Sequence, residues 1–420
     1  MRVMRRTYAV VAVLTIGLLL PSMNARAAKT QIEYWQYTFK SRVDAMNALI
    51  QQFEAANPDI EVKQVTVPYA NFRTRVAAAV TAGEGPDVVQ LYYGWLDDDL
   101  NAHLLQKLPT DTFNPAQIDQ DFFPFVQLMK RDGAYYALPT AVRALALFWN
   151  KTIFQQAGLD PNKPPQTLQE LVTDAERTTK RDSAGNFLVE GFAPDPSAQD
   201  HQWIREVLIR QFGGAPYSPD GKQVTYNSPA GVAAVTWYTD LITKSHVGEI
   251  GFLSDQATAF KAQKAAMTID GSFRLSDADA VKGLDYGVAQ LPSYDGHGGN
   301  FASYWVNGIT SKAKGPALAA AVKFLAFLTT PDAMKLWLEK VGELPARKAV
   351  AETPAIEDNP KYGPFVRGLA DATTTHFVDE TQQRTIFINM VDRIVLQHEP
   401  VAQSVGEAAA QDQKVLNGKD

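Results

Sequence analysis

The chain has 420 residues, no cysteine and a formal charge of −6 at pH 7. The lack of cysteine excludes thiol catalysis and cysteine-based metal sites, and the acidic balance without lysine or arginine clusters is unlike that of a nucleic-acid-binding protein. The six histidines are scattered, with no pair at helical or zinc-finger spacing, so we expect neither a metal site nor a cofactor.

Residues 1–28 have the composition of an export signal. A basic start precedes an apolar run over residues 8–20, and Ala25-Arg26-Ala27 follows as a small-residue cleavage motif. The run is too short for a membrane-spanning helix, and no cysteine follows it for a lipid anchor. We expect cleavage near Ala27 or Ala28 and a periplasmic protein, and the Arg5-Arg6 pair leaves a twin-arginine export route open.

The next part of the chain alternates strand and helix. Apolar patterning predicts strands at 31–35, 60–67 and 88–91, separated by helices at 41–56 and 71–82. This order is typical of a parallel sheet covered by helices on both faces. Ligands bind at the carboxyl ends of such strands, where this chain places aromatic residues. These candidate ligand contacts, each of which could instead be a core aromatic, are Trp35, Tyr37, Tyr93 and Trp95.

The rest of the chain is richer in helices. The predicted helices are 229–243, 255–263, 315–328, 331–341 and a helical tail at 384–416, and the predicted strands are 265–269 and 286–290. Proline fixes φ and suits a crossing strand, so Leu138-Pro139 and Leu291-Pro292 indicate passages between two lobes, with a third near Leu344-Pro345. The predicted lobes are 29–139 with 292–344, and 140–291 with 345–420.

Four short strings occur in a fixed order. The most informative runs from Leu138-Pro139 through Trp149-Asn150-Lys151 to Ala157-Gly158-Leu159 and a proline pair, and Thr167 with Glu170 then forms a predicted capping box. The others are GEGPDV at 83–88, AAMTIDGSF at 265–273 and GELPAR at 342–347. Together they resemble the signatures of family 1 extracellular solute-binding proteins, the ligand-capturing subunits of ABC importers, over nearly all of the mature chain.

The resemblance implies a fold, a function and partners. The fold is the two-lobed periplasmic-binding-protein fold of type II, an α/β fold with parallel-type sheets flanked by helices and lobes joined by hinge crossings. The function is capture of a sugar, a mono- or oligosaccharide, in the cleft between the lobes and its delivery to membrane permease subunits, with no catalysis. We expect a monomer.

Alternatives to sugar import stay open at this point. The same role for an acidic or phosphorylated ligand, such as a uronate or glycerol phosphate, fits an arginine near the cleft. An exported carbohydrate-active enzyme would need a carboxylate pair, for which Asp195 and Asp270 have no supporting pattern. A sensory protein could use the same fold to present a ligand-dependent surface.

Arg143 stands where related members place a polar ligand-facing residue. A guanidinium binds hydroxyl pairs or a carboxylate in bidentate fashion, although Arg143 could instead form a salt bridge with Asp97, Asp98 or Asp99. Further candidate contacts come from the family segments and from the loop before a late strand. They are Asp195, Asp270, Gly271, Phe273, Tyr304, Trp305, Asn307 and Arg347. For Tyr304, Trp305, Asn307 and Arg347, the alternative role is packing at the hinge.

Overall fold

The computed structural model describes residues 29–418, so the predicted export signal lies outside the described residues. The strands are β1 Thr30–Tyr37, β2 Ile60–Val67, β3 Val88–Tyr92, β4 Lys130–Arg131, β5 Ala134–Tyr135, β6 Ala137–Asn150, β7 Lys180–Arg181, β8 Phe187–Val189, β9 Met267–Gly271, β10 Tyr286–Ala289, β11 Asn300–Ile309, β12 Leu344–Pro345 and β13 Ala372–Thr373.

The helices cover both faces of the strands. They are α1 Lys40–Ala56, α2 Tyr69–Thr81, α3 Leu96–Asn101, α4 Pro115–Asp121, α5 Lys151–Gln156, α6 Leu168–Thr178, α7 Ile209–Gln211, α8 Pro229–Thr243, α9 Gln256–Lys261, α10 Leu275–Asp279, α11 Gly315–Leu328, α12 Pro331–Val341, α13 Lys348–Ala351, α14 Pro354–Glu357, α15 Gly363–Leu369, α16 Glu380–Gln397 and α17 Val401–Asn417. Two π-helical turns, Pro196–Asp200 and Trp203–Leu208, precede α7.

A single mixed sheet organises the molecule, in the order β10-β6-β11-β3-β1-β2. β1 pairs in parallel with β2 and β3, whereas β11 is antiparallel to both β3 and β6. The long strand β6 pairs with β11 over residues 137–144 and with β9 and β10 over residues 145–150. β6 therefore belongs to both halves of the sheet.

The ladder between β6 and β11 contains one irregularity. Its register shifts between Trp305, which faces Ala141, and Val306, which faces Pro139. Thr140 is the extra residue, beside a proline that has no N–H to give to a ladder. The bulge is held from the side, because Asn307 Nδ2 donates to Thr140 Oγ1 at 3.2 Å.

Buried apolar side chains form two core clusters. The first includes Ile32, Phe53 and Trp337, and the second includes Trp203 and Phe387. From Ala144 to Trp149, successive residues of β6 enter different clusters, as expected for a strand with both faces covered. Apart from Val350, the apolar side chains buried between residues 344 and 377 pack in the first cluster, and those from residue 386 onward pack in the second. The lobe boundaries stay predictions.

Most element bounds agree with the sequence to within two residues, but the tail differs. The predicted helix 384–416 is two helices, α16 and α17, because His398 adopts a left-handed φ of 57° and Pro400 follows. Proline disfavours helical geometry in the residue before it, so the chain turns here. After this turn, α17 packs against α16, and both helices contact α8.

Across residues 29–418, no single helix combines the length and hydropathy needed to cross a membrane. α11 and α12 meet that test as a pair by length and composition, but they are bent by 66° relative to each other. Both pack in the first core cluster, where Phe324 and Trp337 are buried.

The capping box of α6 makes a local stability prediction. Thr167 Oγ1 accepts from the Glu170 amide at 3.1 Å, and Glu170 Oε2 accepts from the Thr167 amide at 3.2 Å. We expect Thr167→Ala to lower the free energy of unfolding by about 1 kcal/mol, measured by urea denaturation. Thr173→Ala, at an exposed position of the same helix, is the matched control, and equal losses in both variants would contradict the cap's role.

Candidate functional site

A cavity of about 170 Å³ lies where the ends of β1 and β3, the middle of β6 and the first half of β11 meet the π-helical turns and the start of α16. Its lining residues are Tyr37, Tyr69, Tyr92, Arg143, Ala198, Gln199, His201, Gln202, Phe301, Ser303, Trp305, Glu380 and Arg384. Alternate residues of β11 line it, as expected for one face of a strand. The register places Arg143 opposite Ser303 and Tyr92 opposite Trp305.

Aromatic rings form the wall supplied by the first core cluster. Trp305 lies at its centre, with its ring centre 4.4 Å from that of Tyr37, 5.6 Å from Tyr92 and 5.4 Å from Trp95. Tyr69 continues the wall and is half exposed. Rings held against one another keep fixed orientations, so this wall offers pre-set apolar faces to a ligand.

Arg143 supplies a positive charge beside this wall. Its Nε lies 2.7 Å from Glu343 Oε1, and its guanidinium carbon is 4.8 Å from the ring centre of Phe273. Burial and the neighbouring Arg42 lower the pKa of Arg143, yet an arginine stays charged in proteins. The guanidinium is therefore a fixed, partly desolvated cation at the cavity edge.

The alternative partners considered for Arg143 were wrong. Asp97 pairs with Arg131 and His376, and Asp98 pairs with Arg73. The partner of Arg143 is Glu343, which follows α12 and is far from it in sequence. Chain folding, rather than local spacing, brings these two charges together.

α16 contributes the other charged pair of the cavity. Asp379 caps the helix by accepting from the Gln382 amide at 3.0 Å, which fixes the first turn. Glu380 and Arg384 then face the cavity one turn apart. Burial raises the pKa of Glu380, while Arg384 and Trp95 oppose that shift. Arg384 also donates to the Ser197 carbonyl.

The π-helical turns form the polar wall opposite the aromatic rings. Asp195 caps the first turn, accepting from the amides of Ser197 at 3.0 Å and Ala198 at 3.2 Å. Gln199 of this turn and His201 and Gln202, which lie between the two turns, line the cavity; π-turns are frequent at functional sites. Burial lowers the pKa of His201 far below its usual value, so its imidazole is neutral and can both donate and accept.

The structure brings three of the thirteen predicted contact residues to the lining, namely Tyr37, Arg143 and Trp305. Two more touch the lining from behind, since Trp95 packs on Trp305 and Phe273 packs on Arg143. Ligand contact by these side chains stays a prediction.

Five more of the predicted contact residues lie outside the lining. Trp35 donates from its indole to Glu33 at 2.8 Å, Tyr93 stacks on Tyr304, and the Tyr304 hydroxyl donates to the Phe125 carbonyl at 2.7 Å. Asn307 accepts from Tyr34, and Arg347 pairs with Asp121. These partners give each side chain a structural role.

The last three predicted contact residues, Asp195, Asp270 and Gly271, also lie outside the lining. Asp195 is the helix cap described above. Asp270 is buried and forms an ion pair with Arg274 at 2.8 Å. Gly271 leaves room for a ring, because a Cβ there would lie 2.4 Å from Phe273.

Sequence reasoning missed most of the polar wall. Ser303 and Phe301 precede Trp305 by two and four residues, respectively, so strand alternation was a usable signal for them. Glu380 and Arg384 gave no signal, because they lie on a helix whose docking depends on the whole second core cluster.

A larger groove of about 520 Å³ lies elsewhere, between α16 and α17. Its lining includes Ile386 and Val415 but no aromatic residue, and Lys414 is the charged residue among those that line it. Ligand pockets combine apolar walls with convergent polar groups, so the smaller cavity is the candidate site.

A model of the bacterial extracellular solute-binding protein family matches residues 48–364. The chain belongs to this family, which captures solutes for ABC importers. Among curated relatives, the sn-glycerol-3-phosphate-binding periplasmic protein UgpB of Escherichia coli K12 is 26% identical over 372 residues, covering 82% of this chain and 80% of that protein. UgpB of Salmonella typhimurium is 27% identical over 365 residues, covering 81% and 79%.

Solved structures share the fold at lower identity. UgpB from Mycobacterium tuberculosis in complex with glycerophosphocholine has a TM-score of 0.80 and 22% identity, over 93% of this chain and 100% of that one. A solute-binding protein from Thermotoga lettingae bound with α-D-tagatose gives 0.79 and 22%, over 92% and 100%. The GacH receptor of Streptomyces glaucescens, solved unliganded and with acarbose, gives 0.79 and 22%, over 93% and 99%.

These likenesses confirm the predicted fold class, a type II periplasmic-binding-protein fold. The predicted family and its general function, solute binding for an ABC importer, are confirmed as well. The family and its structural neighbours are transport proteins rather than enzymes.

Proposed function

We propose that this protein is an exported, periplasmic monomer that binds one small polyhydroxylated solute, a sugar or a polyol, in the cavity and delivers it to the permease subunits of an ABC importer. The observation that carries this proposal is the pairing of an aromatic wall around Trp305 with a polar wall around Gln202. Sugars and polyols have the matching chemistry, with C–H faces for the rings and hydroxyl groups for the polar wall.

The size of the cavity sets the size of the ligand. Its volume of about 170 Å³ corresponds to roughly six water molecules at ~30 Å³ each. It is well below the ~300–1,000 Å³ of pockets that bury drug-sized ligands. A ligand of monosaccharide or glycerol phosphate size fits this form of the protein, and an oligosaccharide would require a wider cleft.

Two ligand classes have support. A neutral sugar is favoured by the aromatic wall and by structural neighbours solved with tagatose and acarbose. A phosphorylated polyol is favoured by Arg143 and Arg384 in the lining and by the UgpB relatives, whose name states sn-glycerol 3-phosphate. Both classes use the same cavity and the same importer function.

Ligand capture follows from the two walls belonging to different core clusters. The aromatic wall lies on elements of the first cluster and the polar wall on elements of the second, so a ligand that touches both would stabilise the form in which they approach. A ligand shifts such an equilibrium only by the contacts that one form has and the other lacks. The permease would then recognise the closed form.

A thermal-shift screen tests this proposal. We expect purified residues 29–420 to show a raised melting temperature with at least one monosaccharide, uronate, sugar phosphate or glycerol phosphate, since a ligand at 100 times its Kd adds about 2.7 kcal/mol. Isothermal titration with the best compound should give one site per chain. No shift across the four classes would reject the small-polyol ligand while leaving the family assignment intact.

A further inference from the structure

We propose that a buried charge cluster, Arg42, Glu343 and Arg143, makes the cavity select a ligand with an anionic group, phosphate or carboxylate, and that Glu343 positions Arg143 for it. The inference rests on the proposed function, because it specifies which sugar or polyol that site takes. Glu343 does not line the cavity and acts through Arg143.

The geometry of the cluster holds Arg143 from behind. Glu343 Oε1 is shared between Arg42 and Arg143, and Glu343 Oε2 accepts from the Trp337 indole at 2.8 Å. Arg42, Glu343 and Trp337 are at most 3% exposed. Of these four side chains, Arg143 alone lines the cavity. The cluster therefore presents one cation to the ligand and anchors it in the first core.

The charges of the cluster do not balance. Two guanidinium groups share one carboxylate, and Arg42 contributes to lowering the pKa of Arg143. The second pair at the cavity, Glu380 and Arg384, is formally neutral. One positive charge is left over among the lining residues and the cluster. An uncompensated charge in a desolvated site is unfavourable, so an anionic group on the ligand gains more here than a hydroxyl group does.

The orientation of Arg143 suits a group that offers two adjacent acceptor oxygens. Its guanidinium lies 4.8 Å from the Phe273 ring centre and 6.0 Å from that of Trp305. Its Nε and Nη2 are buried, and neither donates a hydrogen bond to any of residues 29–418. Glu343 Oε1 lies 2.7 Å from Nε and two aromatic rings lie beside the guanidinium, and restraint of this kind favours bidentate recognition of phosphate or carboxylate.

The first test measures charge selection directly. We would measure the affinity of the wild-type protein for D-glucose, D-glucuronate, D-glucose 6-phosphate and sn-glycerol 3-phosphate. In a separate titration with inorganic phosphate and with acetate, we would follow the Nε–H NMR signal of Arg143, which is assigned by its loss in Arg143→Gln. We expect an anionic probe to bind about tenfold or more tightly than its neutral counterpart, and to shift the Arg143 signal. Comparison of D-glucuronate with the two phosphate esters then shows whether the site prefers a carboxylate or a phosphate.

Neutral binding without any anion effect would overturn the inference and leave the proposed function standing. Failure of all sugars and polyols would reject the proposed function, while the response of the Arg143 signal to phosphate and acetate still decides the anion claim. An unmoved signal with both anions overturns it. Arg393→Gln, which removes a similarly buried ion pair with Glu399 away from the cavity, is the matched control and should keep wild-type affinity.

The second test separates positioning from general support of the fold. In a double-mutant cycle, we expect Glu343→Gln to weaken anion binding about tenfold when Arg143 is present, because the lost position of Arg143 outweighs the added positive charge, and less than about twofold in an Arg143→Gln background; tighter anion binding in Glu343→Gln would overturn the positioning claim. A merely structural role predicts equal losses in both backgrounds and for neutral probes, and that result would overturn the positioning claim. If Glu343→Gln does not fold, Trp337→Phe replaces it, because this variant keeps the carboxylate and removes only its hydrogen bond from the indole. We then expect a smaller loss of affinity, confined to anionic probes.

Discussion

Replacing Trp305 with alanine is expected to abolish measurable ligand binding, with a loss of at least about 100-fold in affinity for whichever compound the thermal-shift screen identifies. Trp305 contacts Tyr37, Tyr92 and Trp95 and lines the cavity. Its removal takes away the central face of the aromatic wall and frees the neighbouring rings to collapse. Isothermal titration would measure the change.

The chain offers a matched control for this variant. Trp35 is 7% exposed and Trp305 is 8% exposed, and both belong to the first core cluster, but Trp35 lies outside the cavity. Both alanine variants should lose about 3–5 kcal/mol of stability, as tryptophan-to-alanine changes in cores do. Affinity should fall in Trp305→Ala alone. Similar affinity losses in both variants would mean that Trp305 affects binding only by stabilising the core and does not contact the ligand.

A second large effect is expected on the pH dependence of stability. Burial raises the pKa of Glu190 to about 8 and that of Asp99 to about 7. The folded protein then keeps protons that the unfolded chain releases near pH 4, so the free energy of unfolding falls as pH rises from about 4.5 to 8. At about 1.4 kcal/mol per pKa unit, Glu190 alone should contribute a loss of several kcal/mol across this range, with about 5 kcal/mol as its upper limit.

Glu190→Gln isolates that contribution. The Glu190 backbone pairs with Lys264 and Ala266, and its carboxyl group accepts from the Glu249 amide at 2.7 Å, a bond that glutamine can keep. We expect a flatter profile of unfolding free energy between pH 5 and 8, and a variant more stable than wild type at pH 8. Glu61→Gln, at an exposed position on β2, should keep the wild-type slope. An unchanged slope in Glu190→Gln would refute the assignment.

The sequence predicted the fold well because its signals were local. Proline marks the starts of α8, α11 and α12, and Ser228 and Thr330 cap α8 and α12. These contacts span a few residues and depend little on the rest of the chain. Resemblance to the family supplied the arrangement of the elements.

The candidate site was harder to predict because its contacts are distant in sequence. Arg143 could be named from the family pattern, but its partner Glu343 is brought to it only when β12 pairs with β6. Tyr93 and Trp95 lie on the same strand-end turn as Tyr92, yet the turn directs only Tyr92 into the lining. Which aromatic faces the cavity depends on strand register, and composition does not fix register.

The bulge at Thr140 has a consequence for motion between the two halves. β6 and β11 form a continuous ribbon beneath the cavity, and a bulge raises the local twist while leaving the hydrogen bonds on either side intact. Bending at this point would reorient Arg143 and Trp305 together without separating the strands. Empty and occupied forms of the protein should therefore share one unbroken ladder and differ in the curvature of this ribbon, so that the hinge is elastic and contains no unfolded segment.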